Sequence, residues 1–262
     1  MIVFSAIVPH PPPLVPTVGK EHAAKLTKTI AAFQSLEQDL YVTHPDTLLI
    51  ISPHGEMLAD AFTIQLAAEY KVSFAQFGDH RSKASFKTEY QLIDKIQRAL
   101  RGKVPLHLGT KEELDYGVSI PLVRLAAHLP GVSVVPVVTS GLDYKAHYDF
   151  GRALKDELAN SLKRIAIIAS ADLSHTRSDQ APGGFSKLGS SLDEKVIELI
   201  NARNVAGMLT LDRKLTTSAK ECGLRAMMIM FGAIERMNFE PKILSHESPF
   251  GVGYLVAELS LT

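Results

Sequence analysis

The sequence has one cysteine and no tryptophan among its 262 residues, and its formal charges cancel. A single cysteine excludes an intramolecular disulfide, which is typical of proteins in a reducing compartment. Lys+Arg and Asp+Glu both number 28, so nothing in the net charge favours nucleic acid as a partner. No apolar run approaches the roughly 18 residues of a membrane-spanning helix, and the N-terminus lacks the basic region of a signal peptide. We therefore expect a cytoplasmic protein with no nucleic-acid and no membrane partner.

The sequence motifs of several large enzyme classes are also missing. The chain contains no P-loop, no Gly-x-Gly-x-x-Gly, no Gly-x-Ser-x-Gly and no Cys-x-x-Cys. These absences argue against P-loop nucleotide hydrolysis, the dinucleotide-binding fingerprint, the serine nucleophile elbow and a dithiol redox pair. What the chain does contain is ten histidines, and their placement carries the functional signal.

Short aliphatic runs alternate with segments of helical period. Runs rich in β-branched residues predict buried parallel strands, and apolar residues that recur every three or four positions predict amphipathic helices. The predicted strands are Ile2–Val8, Thr47–Ser52, Val132–Val138 and Arg164–Ser170, followed late in the chain by Lys242–Ser245 and Gly251–Leu259. The predicted helices are Lys20–Tyr41, Glu89–Leu100, Ile120–Ala127, Tyr144–Leu162, Ser191–Ile200 and Leu224–Ile234. This order predicts an α/β fold, a single-domain sandwich over residues 1–262 with a mostly parallel or mixed central sheet flanked by helices.

Three predicted core strands run directly into a histidine. His10 follows the first strand through Val8-Pro9, His54 follows the second through Ser52-Pro53, and His175 lies five residues after Ser170. In open α/β sheets the ligand crevice lies beyond the carboxyl ends of the strands. If these strands are parallel neighbours, the three imidazoles converge at one edge of the sheet.

Two histidines and one carboxylate on one side of an ion form the facial arrangement of non-haem Fe(II) oxygenases. Glu247, Glu221, Asp115 and Asp172 are the candidate carboxylates, and spacing alone does not choose among them. His246 is a rival nitrogen ligand at nearly the same place as Glu247. Cys222, which precedes a glycine and a predicted helix, is interpreted as a small buried packing residue rather than a nucleophile. The six histidines without a strand-end position are interpreted as surface or structural: His22, His44, His80, His107, His128 and His147.

Five segments, spread in order over nearly the whole chain, resemble one known family. They are Val8-Pro9-His10-Pro11-Pro12-Pro13, Ile50-Ile51-Ser52-Pro53-His54-Gly55, Leu114-Asp115-Tyr116-Gly117, Ser170-Ala171-Asp172-Leu173-Ser174-His175 and Pro249-Phe250-Gly251-Val252-Gly253-Tyr254. As an ordered set they resemble the class III (LigB-type) extradiol ring-cleavage dioxygenase superfamily and, within it, the Memo-like proteins that accompany AMMECR-type domains.

The resemblance implies a mononuclear metal site and a catalytic set. It makes His10 and His54 the nitrogen ligands and Glu247 the carboxylate ligand of the ion. It gives His175 the acid/base role, with Asp172 close by, and it suggests a pocket-side or helix-capping role for the segment Glu221-Cys222-Gly223.

One motif departs from the family pattern. Many ring-cleaving members carry Asp-His-Gly where this chain has Asp115-Tyr116-Gly117. A tyrosine hydroxyl at that place can still donate a hydrogen bond to bound oxygen, so we include Asp115 and Tyr116 among the catalytic candidates.

Together these observations predict an Fe(II)-dependent, extradiol-dioxygenase-like oxidoreductase that acts on a catecholic aromatic with dioxygen. Zinc and copper are alternative metals. Two other functions stay open: a non-enzymatic Memo-like metal-binding protein, and a zinc-dependent hydrolase that uses the same His-His-Glu set. An exposed edge strand in a mixed sheet also favours a homodimer.

Overall fold

The computed structural model describes residues 1–262, and ten β-strands in it form one mixed sheet. The strands are β1 (Ile2–Val8), β2 (Thr47–Ser52), β3 (Phe62–Gln65), β4 (Glu69–Phe74), β5 (Asp79–Thr88), β6 (Leu106–Gly109), β7 (Ser133–Val138), β8 (Ile165–Ser170), β9 (Phe239–Glu247) and β10 (Tyr254–Leu261). The α-helices are α1 (Pro16–Gly19), α2 (Thr27–Val42), α3 (Tyr90–Leu100), α4 (Tyr116–Leu125), α5 (Tyr144–Ala159), α6 (Lys187–Asn201), α7 (Val205–Leu209), α8 (Arg213–Ala219) and α9 (Leu224–Ala233). None of these helices has both the length and the apolarity needed to cross a membrane.

The strand order is β4-β5-β7-β2-β8-β1-β10-β9. The strands from β5 to β1 in this order are parallel to their neighbours, whereas β4, β10 and β9 pair antiparallel at the two ends. The short strand β3 pairs antiparallel with β7 and parallel with β6. The expected α/β sandwich with a mixed central sheet is thus confirmed.

Alternate residues of the central strands face two separate hydrophobic cores. On β2, Leu48 and Ile50 belong to the core under α2 and α4, whereas Leu49 and Ile51 belong to the core under α5 and α9. Successive side chains of a strand point to opposite faces, so a strand covered by helices on both faces must be apolar throughout. Every residue of β2 and β8 is buried for this reason.

The sequence predicts the central strands to within one residue of their observed ends and also predicts α3, but it misses the strands β3, β4, β5 and β6. β5 is polar and mostly exposed along its length, so it carries no apolar alternation from which a strand is predicted. The expected helix Lys20–Tyr41 is shorter than predicted, because Lys20–Lys25 forms a 3₁₀ helix and α2 begins at Thr27. α4 begins four residues before the expected Ile120, because Asp115 caps it and accepts hydrogen bonds from the backbone nitrogens of Gly117 and Val118.

Candidate metal centre

The ends of three adjacent parallel strands bring His10 and His54 together. β2, β8 and β1 are consecutive in the sheet and parallel, so their carboxyl ends share one edge. His10 and His54 each follow their strand by two residues, and their Nε2 atoms lie 3.0 Å apart. The two rings are nearly perpendicular, with an interplanar angle of 88°.

His10 is buried and is held by the last residue of β8 and by the loop that follows this strand. Its Nδ1 lies 2.8 Å from Oγ of Ser170, and its backbone nitrogen donates to Oδ1 of Asp172 at 2.9 Å. When the serine oxygen accepts from Nδ1, the lone pair of the ring is on Nε2, the atom that faces His54. A hydrogen bond of this kind orients a metal-binding histidine.

His54 is held through the turn that precedes α4. Its backbone nitrogen donates to Oγ of Ser52, and that hydroxyl donates to Oδ1 of Asp115 at 2.6 Å. The ring of Tyr116 stacks on that of His54 with centroids 4.4 Å apart, and the tyrosine hydroxyl lies 2.9 Å from Nε2 of His54. Gly117 makes this packing possible, because a Cβ there would lie 2.4 Å from Oγ of Ser52.

The third donor atom at this place is the sulfur of Cys222. Its Sγ lies 3.7 Å from Nε2 of His10, and the donor atoms of His10, His54 and Cys222 all lie within 4.8 Å of one another. Cys222 stands just before α9, and Gly223 lets that segment approach the end of β8. A Cβ on Gly223 would lie 2.5 Å from Cβ of Ala171.

The spacing and chemistry of these three donors fit a single metal ion. Metal–nitrogen bonds of about 2.0–2.1 Å and metal–sulfur bonds of about 2.3 Å place the donors of one ion roughly 3–4 Å apart. Two of the three observed separations, 3.0 Å and 3.7 Å, lie within that range, and all three are within 4.8 Å. Imidazole and thiolate together form a common set for zinc, copper and iron.

Burial keeps the nitrogen donors neutral. Burial and, to a smaller extent, the neighbouring imidazoles lower the pKa of His10 and of His54 to about 3. Burial also raises the pKa of the Cys222 thiol well above its ordinary value. Neutral imidazoles have free lone pairs for a cation, whereas the thiol must lose its proton when a metal binds.

Glu247, expected from the sequence as the carboxylate ligand, lies elsewhere. Its Oε1 accepts hydrogen bonds from the backbone nitrogen and the hydroxyl of Thr29, at 2.7 Å and 2.6 Å. Helix α2 starts after Leu26, whose side chain cannot accept a hydrogen bond from the free backbone N–H groups of the first turn. The carboxylate of Glu247 accepts from one of these groups instead. The free N–H groups and the positive dipole of this helix end attract the carboxylate.

The remaining acidic candidates also bind backbone groups at helix ends or near the histidines. Asp115 caps α4, and one oxygen of Glu221 accepts from the backbone nitrogen of Leu224 at the start of α9. Oδ2 of Asp172 lies 3.7 Å from Nε2 of His10, and burial raises the pKa of this carboxyl to about 6. The rival nitrogen ligand His246 binds Asp193 instead, with its Nε2 3.1 Å from Oδ2.

His175 lies beside the cluster. A positive charge on His175 would lower the pKa of His10 and His54, which burial lowers more strongly, and the pKa of Asp172, which burial raises. The backbone nitrogen of His175 donates to the carbonyl of Ala219, and its Nδ1 lies 3.0 Å from the carbonyl oxygen of Leu173. A carbonyl can only accept, so Nδ1 carries a proton and Nε2 of the neutral ring is free to accept one.

Cys222 is the functional candidate that sequence reasoning missed. A lone cysteine before a glycine has no partner in its own segment, and its nearest donor is 212 residues away. Only the resemblance of Glu221-Cys222-Gly223 to a family segment pointed to this place.

Comparisons with known proteins place the chain in a family. The model of the family described as the catalytic LigB subunit of aromatic ring-opening dioxygenase matches residues 5–257. Protein CA_C1420 of Clostridium acetobutylicum is 28% identical over 97% of this chain and 56% of its own length. The RNA polymerase-associated protein RapA of Serratia proteamaculans is 24% identical over 76% of this chain and 25% of its own length. The chain thus spans about half, or less, of the length of these relatives.

A solved structure shares the fold. The crystal structure of the uncharacterized protein JW3007 from Escherichia coli K12 aligns with a TM-score of 0.69 at 13% identity, over 98% of this chain and 99% of that one. At this identity the likeness shows the fold alone. The family match covers nearly all of the residues that build the sheet and the cluster at its edge, and the chain belongs to the LigB family of aromatic ring-opening dioxygenase catalytic subunits.

Proposed function

We propose that the chain is a metal-dependent oxidoreductase of the LigB type that holds one ion through His10, His54 and Cys222 and acts on a small aromatic substrate. The observation that carries this proposal is the meeting of three donor atoms from distant parts of the chain, with the two Nε2 atoms 3.0 Å apart. The family description, which names aromatic ring opening, supports the choice of substrate class.

Fe(II) is the metal that we propose, because it supplies Lewis acidity toward phenolic oxygens and redox chemistry toward dioxygen when it is bound. The protein would contribute two neutral imidazoles and one thiolate. Together with a divalent ion, this set has a net charge near +1, which favours a catecholate anion over a neutral aromatic ring.

His175 is proposed as the general acid and base. Its Nδ1 donates to the carbonyl of Leu173, so the free Nε2 would accept the hydroxyl proton of the substrate and later return it to a product oxygen. General acid–base help of this kind contributes typically about 10²–10⁴ in rate. Asp172 accepts a hydrogen bond from the backbone nitrogen of His10. It would thereby hold the loop that carries His175 against the segment that carries His10.

Tyr116 stands where many ring-cleaving members of the family carry a histidine. Its hydroxyl points at Nε2 of His54 and is a hydrogen-bond donor at neutral pH. When that nitrogen binds an ion, the hydroxyl would be free to donate to substrate or oxygen. Asp115, with its Oδ1 occupied by Ser52, Gly117 and Val118, would position Tyr116 rather than react.

The test is oxygen consumption after anaerobic loading with Fe(II), measured over a panel of catechols. We expect uptake together with a yellow ring-opened product for at least one catechol. His175→Gln should keep stoichiometric iron and lose about 10²–10⁴ in turnover. The exposed His107→Gln variant is the matched control and should retain both. Stoichiometric iron without oxygen uptake on any catechol would contradict the ring-opening activity.

The cysteine donor favours a second candidate function, a copper- or zinc-binding protein without ring cleavage. Thiolate is a softer ligand than carboxylate and favours Cu(I) and zinc over Fe(II). Element-resolved metal analysis of protein purified without added metal separates the two candidates. Zinc or copper near one equivalent, together with no oxygen uptake, supports the second candidate, whereas iron with oxygen uptake supports the first.

A further inference from the structure

Tyr254 is the first residue of β10 and has no role in the function proposed above. It pairs antiparallel with Asp172, which lies two residues beyond the end of β8. The backbone nitrogen of Leu173 donates to the carbonyl of Gly253 at 2.8 Å, and this bond flanks the pair. Side chains directly opposite each other in an antiparallel pair project from the same face, with Cβ atoms about 4.5–5.5 Å apart. The side chain of Tyr254 therefore starts beside that of Asp172.

Asp172 links Tyr254 to the metal centre. Its Oδ2 lies 3.7 Å from Nε2 of His10, and its Oδ1 accepts from the backbone nitrogen of the same histidine. The register of β1 on β10, in which Ile7 pairs with Ala257, brings His10 level with Tyr254 when it is continued by three residues. Two separate pairings thus place Tyr254 at the edge of the sheet where the donor atoms meet.

The hydroxyl of Tyr254 has no hydrogen-bond partner within the chain, although the residue is only 4% exposed. A buried tyrosine hydroxyl usually has a partner. Tyr70, the other buried tyrosine, shows the usual arrangement, because its hydroxyl donates to the carbonyl of Gln65. The unpartnered polar atoms that are sealed from water belong to other residues, so the hydroxyl of Tyr254 is open to solvent. A ligand oxygen can therefore reach it.

The surroundings of Tyr254 keep its hydroxyl protonated. Burial raises its pKa, and the acidic groups of Asp172 and Cys222 raise it further. The same two groups also raise the pKa of Tyr116, again after the larger effect of burial. Both tyrosines therefore lie near Cys222 and Asp172, although Tyr116 belongs to α4 and Tyr254 to β10. At neutral pH each of them carries a hydroxyl proton that it can donate.

We propose that Tyr254 is a catalytic residue, whose hydroxyl donates a hydrogen bond to a phenolic oxygen of the aromatic substrate. This inference rests on the proposed function, from which it takes the substrate class. The substrate oxygen would be the acceptor that the hydroxyl lacks within the chain. Hydrogen bonds to an ionised acceptor are about twice as strong as those between neutral groups, so Tyr254 would favour a catecholate over the neutral catechol.

Binding of 4-nitrocatechol to the zinc-loaded protein tests this inference without turnover, because Zn²⁺ has no redox chemistry. The absorbance of 4-nitrocatechol changes when its hydroxyls ionise, so one titration measures both the affinity and the charge of the bound form. Tyr254→Phe should bind zinc as wild type does. It should bind 4-nitrocatechol about tenfold more weakly or worse, and with a smaller ionised fraction at the same pH.

Tyr70→Phe is the matched control, because Tyr70 is also buried but its hydroxyl is bonded to Gln65. It should bind 4-nitrocatechol as wild type does, whereas its equilibrium constant for unfolding should rise about fivefold. Tyr254→Phe loses no hydrogen bond within the chain, so urea titrations of metal-free protein should find it at least as stable as wild type. A purely structural role for the Tyr254 hydroxyl would instead lower the stability of Tyr254→Phe and leave 4-nitrocatechol binding unchanged.

The outcomes separate this inference from the proposed function. If wild type binds 4-nitrocatechol and Tyr254→Phe binds it equally tightly, Tyr254 does not contact the substrate, and only this inference is overturned. It is also overturned if Tyr254→Phe loses as much stability as Tyr70→Phe, because the hydroxyl then has a partner within the chain. Zinc-loaded wild type that does not bind 4-nitrocatechol would contradict the proposed function itself, and this inference with it.

Discussion

Sγ of Cys222 lies 3.7 Å from Nε2 of His10, although 212 residues separate the two in the chain. The contact exists because α9 begins against the end of β8, beside the strand that leads to His10. It gives the cluster a thiol where the facial iron sites of oxygenases have a carboxylate. A metal ion bound at this cluster would therefore meet a softer donor set than the two histidines and one carboxylate expected from the sequence.

Metal affinity should therefore depend on Cys222 and not on Glu247. Loss of a group that only hydrogen-bonds to a metal ligand weakens metal binding by roughly 10–100-fold. Cys222→Ser removes a ligand itself, so we expect it to weaken zinc binding by more than that. Glu247→Gln should bind zinc as wild type does, because its carboxylate is bonded to Thr29. Chelator competition measures both affinities. Loss of zinc from Glu247→Gln, with Cys222→Ser unaffected, would contradict the His-His-Cys site.

Ser170 should tune the same site through His10. Its Oγ lies 2.8 Å from Nδ1 of His10, so Ser170→Ala removes the group that fixes which ring nitrogen carries the proton. Zinc affinity should fall by about 10–100-fold. Ser5→Ala is a matched control, because Ser5 is equally buried on the neighbouring strand but bonds to the carbonyl of Leu259. Equal zinc affinities in the two variants would argue against the orienting role.

The sequence predicts much of this fold because the central strands are buried on both faces. Ile2–Val8 and Thr47–Ser52 are apolar runs with sharp ends, and a proline and a histidine follow each of them. The shared edge for His10 and His54 then follows from parallel pairing alone.

The third donor and the role of Glu247 depend on contacts between distant segments, which spacing does not encode. Glu247 accepts a hydrogen bond from the first turn of α2, a helix that begins more than two hundred residues earlier and has Leu26 in its cap position. Cys222 is brought to His10 by the packing of Gly223 on Ala171. In both cases the local sequence is compatible with several partners, and tertiary packing selects one.

Glu247 should matter for stability instead of for metal binding. Glu247→Ala leaves the buried hydroxyl and backbone nitrogen of Thr29 without an acceptor, so we expect a loss of about 1–3 kcal/mol in the free energy of unfolding. Glu247→Gln retains an acceptor oxygen and loses mainly the charge at the N-terminus of α2, a cost of about 0.3–1 kcal/mol. Urea denaturation measures both. The exposed Glu240→Ala should stay within about 0.5 kcal/mol of wild type. A Glu247→Ala variant as stable as that control would contradict the capping role.

His147 should make the stability of the protein fall in mild acid. It is fully buried, its Nε2 accepts from the backbone nitrogen of Ser140, and its Nδ1 donates to the carbonyl of Asp143. Burial lowers its pKa to about 4, and the hydrogen bond to Asp143 opposes this shift.

The unfolded chain has a histidine pKa of about 6.5, so between pH 6.5 and 4 the unfolded state binds more protons than the folded state. The contribution of His147 is therefore present above pH 6.5 and is lost as the pH falls toward 4. Between pH 7 and pH 5 we expect this residue alone to lower the free energy of unfolding by about 2 kcal/mol. Urea titrations of metal-free protein at the two pH values measure the change, to which buried His10 and His54 also contribute in every variant.

The His147→Gln variant isolates this contribution. Glutamine can still accept from Ser140 but does not titrate, so the loss of stability between pH 7 and pH 5 should be about 2 kcal/mol smaller than in wild type. The exposed His107→Gln variant should show the wild-type difference. If His147→Gln and His107→Gln lose the same stability over this interval, His147 is not held neutral by its buried position.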